Sequence, residues 1–389
     1  MKKKVFLRKM LAAMAVGALL TGCGSSTQTA TEAATAAETS TETTAVAETA
    51  TATEAATEAA KETGTEAATE AESSKAAETE AAKESAAEAE TIGDTSEGAM
   101  KIGSLKGPTT MGLVNLMDEV EKGDKSGYLF EMQTQPDVIL GKLVSGDLDA
   151  ALIPANLAAI AYNKTNQGVS VLDINTLGVL YCVTGDENIK SVKDLSGKTV
   201  LSTGQGATPE YALNYLLNKN EVTDCDVQFK SESTEIAAAL GNDPSQIAIL
   251  PQPFVTVAMA QNQDLKVAFS LTDEWDAVSE DSRLLTGVTV VRNDYLEANE
   301  AAVEAFIEDH KASTEKAASD LKTTAELVAK YGIIAKAPVA EKALPECNIV
   351  SVTGEEMKKS LSGYLKVLFE QNPKAVGGKL PEDDFYFVK

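Results

Sequence analysis

Two short stretches carry the residue types from which a ligand site is built. In "GSLKGPTTMG", residues Gly107, Pro108, Thr109, Thr110 and Met111 separate an extended run from an apolar-periodic one containing Leu113, Leu116, Met117 and Val120. Gly107 and Pro108 mark a tight turn, and Thr109 or Thr110 is expected to cap a helix, which would offer unpaired backbone N–H groups and two hydroxyls. In "STGQGATPEY", Thr203, Gly204, Gln205, Gly206, Ala207 and Thr208 precede Pro209. Thr208 is expected to cap there, Pro209 to occupy the first helical position, and the glycines to admit close backbone approach. The chemistry is recognition rather than reaction, because N–H donors at a helix N-terminus hold anions and polar groups. Both stretches also read as structural caps and nothing more.

Other candidates are single residues. Asn156 in "ALIPANL" and Gln252 in "ILPQPF" end two further strands, and an amide side chain both donates and accepts. A bidentate clamp for an acidic ligand would have to come from Arg283, which also reads as a surface charge beside Glu280 and Asp281. "GQGATP" is only a partial dinucleotide fingerprint, since Pro209 stands where the third glycine belongs, so no cofactor is expected. The single histidine, His310, sits in the charged run "FIEDHKAS", and Cys182, Cys225 and Cys347 show no CxxC spacing. Neither a metal site nor a catalytic base is expected from these residues. The three thiols read as free and buried, with a disulfide between two of them as the alternative.

The elements that position these residues begin well into the sequence. Lys2, Lys3, Lys4, Arg8 and Lys9 precede an apolar run from Met10 to Leu20, too short to span a membrane comfortably, so the N-terminus reads as an export signal. Leu20, Thr21, Gly22 and Cys23 resemble the bacterial lipobox, which implies cleavage after residue 22 and a lipid on the sulfur of Cys23; an ordinary signal peptide is the alternative. From residue 23 to 98 the sequence is mostly Ala, Thr, Glu and Ser, without an aromatic residue, and is expected to be a disordered tether. As a flexible coil it would reach roughly 45 to 50 Å. The protein carries 34 basic and 59 acidic residues, and the part beyond the tether remains acidic, which argues against nucleic acid as a partner.

Past residue 99, extended runs such as "KIGSL", "YLFEM", "DAALI", "VSVLDI", "QIAIL" and "GVTVV" alternate with helical segments, the signature of parallel sheets covered by helices. So long a folded part is expected to form two lobes. The segment "LGVLYCVTGDENIKSVKDLSGKTVLSTGQGATPEYALNYLL" resembles the extracytoplasmic solute-binding proteins of ABC importers. The branch is that of nitrate, sulfonate, taurine and thiamine-precursor receptors, through Ile189, Ser191, Asp194, Leu195, Gly197, Lys198 and Val200. "SGDLDAALIPANLAA" and "ILPQPFVTVA" continue the likeness, and "LLTGVTVVRNDYLEANEAAVEAF" resembles the return crossing between lobes.

The resemblance implies an α/β type II periplasmic-binding-protein fold with two interlobe crossings: lobe I over 99–183 and 287–389, and lobe II over 184–286. It also implies a small-molecule ligand between the lobes, an ABC permease and its ATPase as partners, membrane attachment through Cys23, a monomer, and no enzymatic activity. The neutral cradles favour a small neutral or mixed polar and aromatic solute, although backbone amides also bind acidic groups without a counter-charge. The rival readings are an enzyme on the same fold, of the menaquinone-pathway dehydratase or pyrimidine-precursor synthase kind, and a sensory lipoprotein without transport.

Overall fold

Strand character in the folded part follows the apolar pattern. The segment "YLFEMQ" alternates buried and half-buried positions, whereas "AALIP" and "VSVLDINTL" are buried almost throughout, as strands covered by helices on both faces must be. In the computed structural model, residues 91–96 and 98–389 are described; the expected signal segment, Cys23 and the expected tether up to residue 90 lie outside the described residues.

Among the described residues, twelve strands form two sheets. They are β1 (Thr91–Gly93), β2 (Met100–Leu105), β3 (Tyr128–Gln133), β4 (Ala150–Pro154), β5 (Val169–Leu177), β6 (Leu180–Thr184), β7 (Thr199–Ser202), β8 (Asp226–Phe229), β9 (Ile247–Pro251), β10 (Lys266–Ser270), β11 (Leu285–Arg292) and β12 (Ile349–Val352). The first sheet has the order β1-β3-β2-β4-β11-β5-β12 and the second β10-β6-β9-β7-β8. Each contains the same five-strand unit: β3-β2-β4-β11-β5 in one lobe and β8-β7-β9-β6-β10 in the other. In each unit one strand, β11 or β6, runs against its neighbours. That strand is the first one formed after the polypeptide passes from one lobe to the other.

Three sequence expectations need correction. The tether does not extend to residue 98, because Thr91–Gly93 pairs antiparallel with β3 and Ile92 is buried in the core of its lobe. A stretch of low hydrophobicity conceals one isoleucine with a sheet edge to cover. The first crossing falls at Gly178 and Val179, not after residue 183, because the run "LGVLYCVT" is divided: β5 ends at Leu177, and Leu180 already pairs in the second sheet. The second crossing spans residues 279–284, ahead of β11. Finally, "PTTMGLVNLMDEV" does not form one helix: a single turn, Pro108–Met111, is separated from the helix Val114–Lys122.

The lobes are not independent globules. The helix Gly354–Gln371 contributes Leu361, Tyr364, Leu365 and Leu368, all buried, to a core that also holds Ile153 and Val171 of the first sheet and Leu213, Leu216 and Trp275 of the second lobe. Trp275 lies 4.1 Å from the ring of Tyr215 and 5.9 Å from that of Tyr364, and its indole donates to Ser282 Oγ at 3.0 Å. Burial of such large aromatic surfaces is the main favourable term in packing of this kind. Gly363 makes the fit possible, since a Cβ there would stand 2.1 Å from the carbonyl oxygen of Asp281 in the second crossing.

Candidate functional site

The strand-to-helix turns of both lobes point into one cleft of about 710 Å³. Pro136 and Asp137 follow β3, Asn156 follows β4, and Gly206, Ala207 and Thr208 follow β7; Val179 and Leu180 close the floor at the first crossing. This is where open α/β sheets hold ligands, beyond the C-terminal ends of their parallel strands. A third wall comes from the C-terminal region, where the turn Pro373–Val376 brings Asn372, Lys374 and Ala375 to the opening. Apolar groups dominate the surface, among them Leu157, Ile160, Val179, Leu180 and Tyr211.

Hydrogen bonds tie the third wall to both others. Asn156 Nδ2 donates to the Ala375 carbonyl at 3.4 Å, Asn372 Nδ2 to the Tyr211 hydroxyl at 3.0 Å, and Gln371 Nε2 to the Tyr211 carbonyl at 3.1 Å. The Tyr364 hydroxyl reaches Thr208 Oγ1 at 3.3 Å. The first crossing is held similarly: Leu177 N–H donates to the Asn348 carbonyl at 3.0 Å, and the Tyr181 hydroxyl donates to the Glu346 carbonyl at 2.7 Å. Burial raises the Tyr181 phenol well above its ordinary range, so it remains a donor at any physiological pH. Gly178 fits between Thr272 and Leu284, where a Cβ would meet Thr272 Oγ1 at 2.4 Å.

Comparison with known proteins agrees with this architecture. The family described as NMT1/THI5 like matches residues 139–322. No curated protein matches the sequence. Among solved structures, an ABC transporter protein of Parabacteroides distasonis superimposes with a TM-score of 0.64 at 23% identity, over 75% of this chain and 100% of the other. The periplasmic aliphatic sulphonate-binding protein of Escherichia coli gives 0.58 at 19% identity, over 73% and 91%. A ligand-binding component of an ABC-type import system from Staphylococcus aureus, with zinc bound, gives 0.56 at 16% identity, over 75% and 97%. The shared fold spans both lobes and both crossings. This chain has the type II periplasmic-binding-protein fold.

Within that fold, Asn156, Gly206, Ala207 and Thr208 line the interlobe cleft. Gly206 has φ +75° and open space where a Cβ would project; Gly204, at φ +73°, lies against Pro209, so both positions favour glycine. Thr208 does not cap. Ala207 is the residue before the helix Thr208–Lys219, Pro209 is its second residue, and the Glu210 carboxylate accepts the Gly206 N–H instead. Gln205 is exposed on the same loop, and Thr203 is buried, 3.5 Å from Ser233 Oγ.

The remaining sequence candidates are not among the residues lining the cleft. Gly107, Pro108 and Met111 belong to the isolated turn, and Thr109 and Thr110 turn their hydroxyls back to donate to the Leu105 carbonyl at 2.8 and 2.6 Å. Gln252 is buried and accepts from Thr256 Oγ1 at 2.9 Å, facing a separate groove. Arg283, within the second crossing, pairs with Asp276 at 3.6 Å and is not among the residues lining the cleft. Burial raises the Asp276 carboxyl above its ordinary pKa, although Arg283 opposes this. His310 is fully buried: its Nδ1 lies 2.9 Å from Asp173 Oδ2 and its ring stacks on Phe306. Cys182, Cys225 and Cys347 are free thiols, and burial pushes that of Cys225 up to about 11.

Sequence reasoning missed Tyr211, Asp137 and the entire third wall. A signal for Asp137 was present, since Pro136 stands at a strand-to-helix turn just as Pro154, Pro209 and Pro251 do. The segment "QNPKAVGG" follows a helix rather than a strand and carried no such signal.

Proposed function

We propose that this protein is a lipid-anchored solute receptor that captures a small organic molecule between its lobes and delivers it to an ABC permease and its ATPase. The observation that carries this reading is the single cleft lined by both lobes, the first crossing and the C-terminal turn. A solute touching all of these walls stabilises the closed arrangement by its differential contacts, and the permease then has two states to distinguish. Attachment through Cys23 and the tether that follows it would keep the receptor near the membrane without restricting its orientation. No helix among the described residues is long and apolar enough to cross a membrane.

The structural relatives named as sulphonate-binding proteins make aliphatic sulfonates the first compounds to test, followed by vitamin precursors and amino-acid derivatives. A bound solute at 100 times its Kd should stabilise the protein by about 2.7 kcal/mol, which a thermal-shift screen detects. A ligand whose stabilisation survives filling of the cleft by Ala207→Trp would refute the placement. Catalytic turnover of a confirmed ligand would refute the receptor reading.

A further inference from the structure

Lys374 is the only cation among the cleft-lining residues, and Asp137 the only carboxylate. Their situations differ. Asp137 lies in the first turn of the helix Pro136–Ser145, where the aligned amide dipoles stabilise a negative charge without a ligand. Lys374 lies in a single 3-10 turn, too short for a comparable field, and among the described residues it has no ion-pair partner. Its backbone is fixed nevertheless: Asn372 Oδ1 accepts the Lys374 N–H at 3.1 Å, and Asn372 is itself bonded to Tyr211 of lobe II. An ammonium is thus carried on a positioned turn at the mouth of a largely apolar cleft.

Resting on the receptor reading above, we propose that Lys374 selects the charge of the solute, recruiting molecules with an apolar body and one acidic group. The apolar walls contact the body, and the ammonium at the opening meets the acid while keeping its own partial hydration. The lobe II cradle carries no cation, and Lys106 beside the lobe I turn lies against Gly332 and does not line the cleft, so the selecting group comes from the C-terminal turn. Arg283, the one residue from which a bidentate clamp could have come, pairs with Asp276 instead and does not line the cleft.

Two fluorescent probes of similar aromatic body separate the alternatives: anilinonaphthalene sulfonate, a monoanion, and N-phenyl-1-naphthylamine, which is neutral. Binding to the full-length protein is measured for wild type, Lys374→Ala, Lys374→Glu and the cleft-filling Ala207→Trp, at low and at physiological salt. We expect Lys374→Ala to weaken the anionic probe about 3- to 10-fold and Lys374→Glu to weaken it further. Both effects should shrink as salt rises, while the neutral probe binds all three proteins alike. Ala207→Trp should weaken both probes. Equal responses of the two probes at position 374, with both still lost on Ala207→Trp, would overturn the assignment of Lys374 alone. Indifference of both probes to Ala207→Trp would overturn the cleft reading and this inference with it.

Discussion

Gly178→Ala tests whether the two crossings form one tight joint. A Cβ on Gly178 would stand 2.4 Å from Thr272 Oγ1, 2.7 Å from Leu284 Cγ and 2.8 Å from Leu284 Cδ2, all closer than real Cβ contacts allow. Both neighbours are buried, and Thr272 Oγ1 already donates to the Gly178 carbonyl at 3.0 Å, so neither can swing away without losing packing or a hydrogen bond. Overpacking by one methyl in such a place costs about 1 to 3 kcal/mol. An unfolding entropy of about 2.1 cal/mol/K per residue, over about 300 described residues, converts each kcal/mol into roughly 1.6 °C. The melting temperature measured by calorimetry should therefore fall by about 2 to 5 °C. Gly141→Ala is the matched control, because that helical glycine has nothing within 4 Å of its would-be Cβ and alanine there should stabilise by about 0.5 to 1 kcal/mol. A Gly178→Ala melt within 1 °C of wild type would refute the argument, since it would mean that the crossings have room to separate.

Three more perturbations probe the rest of the molecule. Deleting residues 24–90 should leave the melting temperature unchanged, whereas deleting 24–98 also removes β1, exposes the surface Ile92 covers, and should lower it measurably; equal melts would show that the strand is dispensable. Replacing Cys23 by Ser should release the protein from membranes or leave it as an unprocessed precursor, which fractionation and intact mass will show. Asp118→Asn should cost about 1 to 2 kcal/mol at pH 7. Burial alone would raise the Asp118 carboxyl, but hydrogen bonds from Lys122 and Lys330 outweigh it and hold the pKa below the usual range. Its contribution is therefore complete above about pH 5 and is lost as pH falls through the depressed folded value, so the difference between mutant and wild type should vanish near pH 2 in denaturant titrations.

The strand and helix alternation was legible because most strands are apolar runs flanked by Gly, Pro, Asp or Asn and the long helices carry an apolar face. The backbone of the lobe II loop was legible for a related reason: Gly204 and Gly206 hold positive φ, and Pro209 opens the helix that follows. The helix geometry of the lobe I stretch was not legible because Gly-Pro-Thr-Thr fits two outcomes, a cap on a long helix and a one-turn helix whose hydroxyls satisfy a nearby carbonyl. Only the approach of Gly287, where a Cβ would stand 2.4 Å from Thr109 Cγ2, reveals how crowded that turn is. The burial of His310 could not be read from its sequence neighbours, which are charged, because its own side chain faces the buried Asp173 of β5, 137 residues away. Asn372 and Lys374 were invisible for the same reason: what makes them cleft residues is the docking of a distant helix.

The placement of β11 also governs the order in which the molecule can be assembled. It occupies the middle of the first sheet between β4 and β5, yet it is the eleventh strand made. On a polypeptide synthesised from its N-terminus, β4 and β5 emerge with no neighbour on their facing edges until more than a hundred further residues have followed. The second sheet, by contrast, is contiguous from β6 to β10 and its last strand ends at Ser270, ahead of β11 at Leu285. The nascent protein therefore carries a finished second sheet beside an open first one, whose bare edges can pair with another molecule. A chaperone that keeps residues 150–177 extended until β11 emerges would keep those edges from pairing with another molecule.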